Sequence, residues 1–245
     1  MAESNDFYVG YLPTPPRDRR FLRIAVPLLL WCGVAVSGAV AWRMNDPGNG
    51  VWNTDDTMQW EGTLHERPYP LLEMDDEAGQ RTMVMLVTDG KRGVQEWVTG
   101  LDGNRVRISG FEIRRDGRRM LALPGDDAID VLGQAESMAR SQGATDVTLR
   151  GEIVDSKCFL GAMKPGEGRG HKPCAVLCIQ GGIPAVLVAR NAEGEASYTL
   201  LTDATGTGPF DDALLRHVAE PVEVQGVLRQ LGDLDVLAIQ SVRRR

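Results

Sequence analysis

Cys158, His171, Cys174 and Cys178 are the residues of this chain best suited to chemistry. They stand as C-x12-H-x2-C-x3-C in one stretch, and the last of the four cysteines, Cys32, lies far upstream in an apolar run. Three thiolates and an imidazole make a complete tetrahedral donor set for zinc, and the set is soft enough for copper(I). A second chemistry is open to the same residues. Outside the cytoplasm thiols tend to oxidise, so Cys158 can instead form a disulfide with Cys174 or Cys178 and staple a segment with little core of its own. One cysteine is then left over, buried, reactive or bound to a partner. A third use is His171 as an axial ligand in an electron-transfer contact, although no C-x-x-C-H motif for covalent haem is present.

These side chains need elements to carry them. Pro165 to Gly170 is glycine-rich and reads as a loop. Pro173 suits the first turn of a helix and Gly181-Gly182 its end. A helix over Cys174–Ile179 sets Cys174 and Cys178 at i and i+4 on one face, which keeps them from pairing with each other. His171 stands at the same end of that helix. Cys158 closes the preceding strand and reaches the helix if the glycine loop folds back.

The stretch around the cluster is an insertion in a repeat. Residues 60–124 and 149–245 read as two copies of one β-rich unit. Gly62-Thr63-Leu64-His65-Glu66-Arg67 aligns with Gly151-Glu152-Ile153-Val154-Asp155-Ser156, and Val106-Arg107-Ile108-Ser109-Gly110 with Val222-Glu223-Val224-Gln225-Gly226. Met120-Leu121-Ala122-Leu123 meets Val236-Leu237-Ala238-Ile239. Only the second copy has the residues that carry the cluster, placed here at 156–183.

Each copy is expected to hold five strands with a short helix between the third and fourth, the order of an OB-fold barrel. In the first, residues 59–65, 70–74, 81–88, 104–114 and 118–123 alternate as strands, with a helix over 92–99 and a hairpin at Asp116-Gly117. The second has strands over 147–154, 185–189, 197–202, 222–228 and 234–242, and a helix over 211–218. Between the copies, Ala128, Leu132, Ala135 and Ala139 share one helical face, so residues 125–146 are expected to form a connecting helix. His65 is expected to be a strand residue rather than a ligand, and His217 a solvated or capping residue near Asp211 and Asp212.

Upstream, residues 24–42 run without a charge, long enough to cross a hydrocarbon core. Arg17, Arg19, Arg20 and Arg23 precede the run and only Arg43 follows closely. Positive-inside bias then places residues 1–23 in the cytoplasm and the rest outside it. The expected organisation is a cytoplasmic segment over 1–23, a transmembrane helix over 24–42 and a linker over 43–58. OB-like domains follow over 59–124 and 147–245. A formal net charge of −7 argues against a nucleic-acid partner. No G-x-S-x-G, H-E-x-x-H, phosphate-loop or dinucleotide motif occurs, and no catalytic constellation assembles.

The second copy resembles a group of small exported bacterial OB-like domains. The resemblance rests on Gly151-Glu152-Ile153-Val154-Asp155-Ser156-Lys157-Cys158, on His171-x-x-Cys174-Ala175-x-x-Cys178 and on Gly181-Gly182-Ile183-Pro184. It implies a barrel fold and export, not a reaction. The chain departs from it by adding the apolar helix and a first copy without the cluster. Together these features lead to a single-pass protein of a bacterial inner membrane with periplasmic barrels. It is expected to serve as a non-catalytic accessory subunit of a membrane complex, respiratory or redox, with the lipid bilayer as partner of residues 24–42. The competing expectation is a zinc, copper or thiol-handling protein that acts directly through the cluster.

Overall fold

The computed structural model describes residues 14–43, 49–76, 78–136 and 138–245. The chain divides into two units, Met1–Asp46 and Pro47–Arg245. In the first, helix α1 spans Pro16–Arg43, with Pro27 inside it. Proline suits its opening position because the missing N–H is one that a helix start leaves unbonded. The helix begins earlier than the charge-free run, so the arginine-rich approach is helical as well. Its stretch Asp18–Arg43 is long and apolar enough to cross a membrane, and its side chains are uncovered. Residues 1–13 of the expected cytoplasmic segment lie outside the described residues.

The second unit holds both copies, each a closed five-stranded barrel. The first ring is built from β2 (Met58–His65), β3 (Leu71–Asp75), β4 (Arg81–Thr88), β5 (Asn104–Arg115) and β6 (Arg118–Leu123). Strand β5 pairs with both β2 and β6, and a parallel β4–β6 pair completes the ring. The second ring is built from β8 (Gln142–Asp155), β9 (Ala185–Arg190), β10 (Ala196–Thr202), β11 (Pro221–Leu231) and β12 (Leu234–Arg244). It has the same order and the same parallel closure, here β10–β12.

The copies share details as well as order. A Cβ added to Gly110 would stand 2.6 Å from the Ala122 carbonyl, and one added to Gly226 would stand 2.2 Å from the Ala238 carbonyl. These are aligned positions, where two strands pass too closely for any side chain. Thr88 Oγ1 donates to the Leu123 carbonyl and Thr202 Oγ1 to the Leu237 carbonyl, a matching bond at the end of each third barrel strand.

Each barrel has its own apolar interior, and a third core lies between them. Leu72, Leu86 and Ile108 belong to the first interior and Ile153, Leu201 and Leu237 to the second. The third core joins Met85, Ile113 and Met120 to Val186, Leu200 and Val236. Strand β4 faces two cores at once, which explains why Met83–Val87 reads as an unbroken apolar run rather than an alternation. Tyr69 crosses the junction: its hydroxyl donates to the Leu201 carbonyl at 3.1 Å and accepts the Phe210 N–H at 2.8 Å.

Three expectations are corrected. Among the described residues of 125–146 the expected connecting helix is absent. A single 3-10 turn at Asp126–Ala128 leads into strand β7 (Ile129–Gln134), which pairs with β5, and β8 already begins at Gln142. The free edge of β5 offers a backbone ladder, and β-branched Ile129 and Val131 suit it better than a helix. Gly133, at φ 141°, fits the register shift there. Within the expected linker, Val51–Trp52 form strand β1 against β5, while residues 44–48 lie outside the described ones. The helix expected over 92–99 shrinks to α2 (Gln95–Val98).

Candidate metal centre

The insertion begins where β8 ends. Asp155 is fully buried, and its Oδ1 accepts the Cys158 N–H at 2.8 Å. That bond fixes a wide turn at Cys158–Ala162, from which Phe159 and Leu160 enter the core between the barrels. The glycine-rich loop follows, then a 3-10 turn at Arg169–His171 and helix α3 (Lys172–Gln180). Helix α3 carries Pro173 in its first turn and closes at Gly181, as the sequence implies. The insertion therefore has a core, shared with both barrels, where little was expected.

His171 and Cys174 converge on Cys158 in one set, and Cys178 approaches it in another. The Cys158 sulfur, a ring nitrogen of His171 and the sulfur of Cys174 lie within 4.8 Å of one another. A carboxylate oxygen of Asp155 and the sulfurs of Cys158 and Cys178 form a second such set. A zinc ion at ordinary bond lengths needs its donors about 3.3–3.8 Å apart. The two sets share Cys158: one joins it to His171 and Cys174, the other to Asp155 and Cys178, and each has donors of a kind that can hold a metal ion. The alternative disulfide is not formed: all three thiols are free, and Cys158 meets Cys178 through an S–H···S hydrogen bond.

Sequence reading missed three residues of the site. Asp155 Oδ2 lies 3.0 Å from His171 Nε2, and both side chains are nearly sealed from solvent. A carboxylate on one ring nitrogen fixes the tautomer and leaves Nδ1 with a lone pair, the usual support of a metal-bound imidazole. The signal for it was present, three residues before Cys158 and aligned with Glu66. Lys91, from the loop after β4 in the first barrel, places its Nζ 2.6 Å from Cys174 Sγ and 3.7 Å from Cys178 Sγ. Lys157 is buried and donates to the Thr88 and Gly90 carbonyls at 2.6 and 3.0 Å. Its ammonium also sits 4.9 Å from the Trp52 ring centre. Nothing in the local sequence marks either lysine.

The electrostatics divide the thiols. The hydrogen bond from Cys158 holds the Cys178 thiol down to about 7, with Lys91 helping. The same bond, then burial, then the Asp155 charge push Cys158 up, so this pair retains one proton. The Cys174 contact pushes Lys91 up, whereas burial pushes Lys157 down.

The other histidines stay apart from the cluster. His65 is a buried strand residue whose Nε2 meets Glu73 at 2.8 Å. His217 is buried, not solvated, and neither ring nitrogen has a hydrogen-bond partner. Asp211, rather than His217, caps the turn at Asp212–His217. No known family matches the chain, and no curated protein or solved structure matches it.

Proposed function

We propose that the protein binds one soft metal ion, zinc or copper(I), through Cys158, His171, Cys174 and Cys178. The observation that carries this reading is the buried Asp155–His171 contact beside three converging free thiols. A disulfide staple has no need of an oriented imidazole, whereas a metal site does. The ion would supply charge to hold three thiolates together in a half-buried place. The chain contributes the orientation of His171 by Asp155, the placing of Cys174 and Cys178 one turn apart on α3, and the buried Lys157 ammonium, whose charge offsets that of the thiolates.

In this proposal α1 anchors the protein in a bacterial inner membrane with its N-terminus cytoplasmic and the barrels in the periplasm. The arginines before the apolar run support that orientation. The barrels then serve a membrane complex, respiratory or redox, as an accessory subunit without catalysis of its own. Purification in mild detergent without air tests both parts. One zinc or copper per chain, lost in Cys158→Ser and weakened in His171→Ala, is the expected result. No metal at any step, or full binding by His171→Ala, defeats the four-donor site. Absence of any copurifying membrane subunit defeats the accessory role.

A further inference from the structure

Resting on that metal reading, we infer that the site exchanges its ion and that Lys91 is its gate. Cys158 and Cys178 are buried, while Cys174 is partly open to solvent. An incoming ion or a competing ligand therefore reaches Cys174 first. The Lys91 ammonium occupies that sulfur and also touches Cys178. For an ion to bind there, Lys91 must leave.

The backbone of the gate is fixed. Gly93 N donates to the Gly181 carbonyl at 2.8 Å, and Lys157 holds the Thr88 and Gly90 carbonyls. A Cβ on Gly181 would come within 1.8 Å of the Lys91 carbonyl, so the loop lies directly on the end of α3. Only the Lys91 side chain is left to move, a flexible stem on an exposed residue.

Protein hydrogen bonds tie the insertion to its surroundings at several points. Buried Arg115 donates to the Phe159 carbonyl at 2.8 Å, Ser156 N donates to the Pro184 carbonyl at 3.0 Å, and Asp155 secures Cys158. With these bonds and a core shared with both barrels, the site is expected to keep its fold when the ion leaves, unlike small zinc modules. Loading proceeds by ligand substitution. The N–H···S contact of Lys91 would break with the ammonium still protonated. The metal–Sγ bond would form at Cys174 as a water or a carrier thiolate or imidazole leaves the ion, a carrier thiolate then taking up a proton. Each remaining thiol proton would leave to solvent as its sulfur replaces a further ligand. The matching donor or acceptor is a thiol- or imidazole-bearing carrier of soft metal ions.

The test uses the full chain in detergent without air, with zinc(II) alone as the binding probe and cobalt(II) to report sulfur ligation. Lys91→Met keeps the stem and removes the competing cation. It is expected to bind zinc about tenfold more tightly, the worth of one charge-assisted hydrogen bond, and to yield it more slowly to a chelator. Lys91→Gln should do the same to a smaller degree. Equal or weaker binding in both variants overturns the gate while leaving the metal site standing. Loss of near-ultraviolet dichroism on metal removal overturns exchange, because the ion would then be structural. If wild type and variants alike bind neither ion, the metal reading falls and the gate with it.

Discussion

The loops at residues 66–70 and 156–184 join equivalent strands in two barrels of the same order, and only the second carries chemistry. In the first barrel, Glu66 follows β2 and accepts the backbone N–H groups of Leu101 and Asp102 at 2.8 and 3.2 Å. The aligned residue in the second barrel is Asp155, which holds Cys158 and His171 instead. One carboxylate position thus closes a turn in one copy and orders a candidate metal centre in the other. The barrel supplies a rigid rim, and the inserted loop supplies the candidate metal donors. The first copy is not idle, since its loop after β4 lends Lys91 to the thiols of the second.

Removing the two carboxylates separately should give the largest contrast. Asp155→Ala strips a fully buried group from an imidazole and a backbone N–H, a loss of about 3–5 kcal/mol. Glu66→Ala, at a half-buried site, should cost about 1 kcal/mol. Denaturant unfolding of both variants measures the gap. Similar losses would show that Asp155 does no more than its counterpart.

The junction between the copies is the next target. Lys157→Met leaves the Thr88 and Gly90 carbonyls without their donor and should cost about 2–3 kcal/mol. Tyr69→Phe, which removes the hydroxyl bonded to Leu201 and Phe210, should cost about 1–2 kcal/mol. In each case both barrels should unfold in one transition, because one core serves both. Two separated transitions in wild type would break the picture of a shared core.

Fold and site were unequally legible in the sequence. Order of strands and insertion point follow from the repeat, which also set Gly110 against Gly226; that both lie where strands pass closely came only from the structure. The segment Ile129–Gln134 misled, since alanines at helical spacing cannot reveal that β5 has a free edge to fill. Cys158, His171, Cys174 and Cys178 could be grouped from spacing alone. Lys91 could not, because its meeting with Cys174 depends on how one barrel sits against the other, a long-range fact with no local pattern. His217 was misplaced for a similar reason: its burial comes from tertiary packing of a turn that also buries Leu215.

Paired glycine variants sharpen the duplication itself. Gly110→Ala and Gly226→Ala each drive a Cβ into an alanine carbonyl on the neighbouring strand, and each should cost about 1–3 kcal/mol. Gly226 has the shorter approach and should suffer more. A harmless substitution at either position would mean that this barrel has room where its copy has none. Thermal unfolding of the two variants decides the order.

The smallest effect concerns an ion pair that the copies hold with opposite polarity. Glu61 on β2 stands opposite Arg107 on β5, and Arg150 on β8 stands opposite Glu223 on β11. These are aligned positions with the charges exchanged. The pairs close at 2.7 and 3.0 Å, and Arg105 and Arg243 add a second arginine to each glutamate. Hydrogen bonds from the paired arginines hold Glu61 and Glu223 below the usual glutamate range. A carboxylate with a lowered folded pKa contributes stability that is present above its ordinary value and is lost as pH falls through the lower one. Both contributions should therefore be intact at neutral pH and vanish together in acid. Glu61→Arg sets like charges face to face and should lower the melting temperature slightly at pH 7; in acid the gap should narrow as the wild-type pair loses its attraction, but not close, because the arginines stay charged. Adding Arg107→Glu recreates the polarity of the second barrel and should restore most of that loss. If the double variant melts no higher than the single one, the two faces differ in more than sign, and the symmetry ends at the backbone.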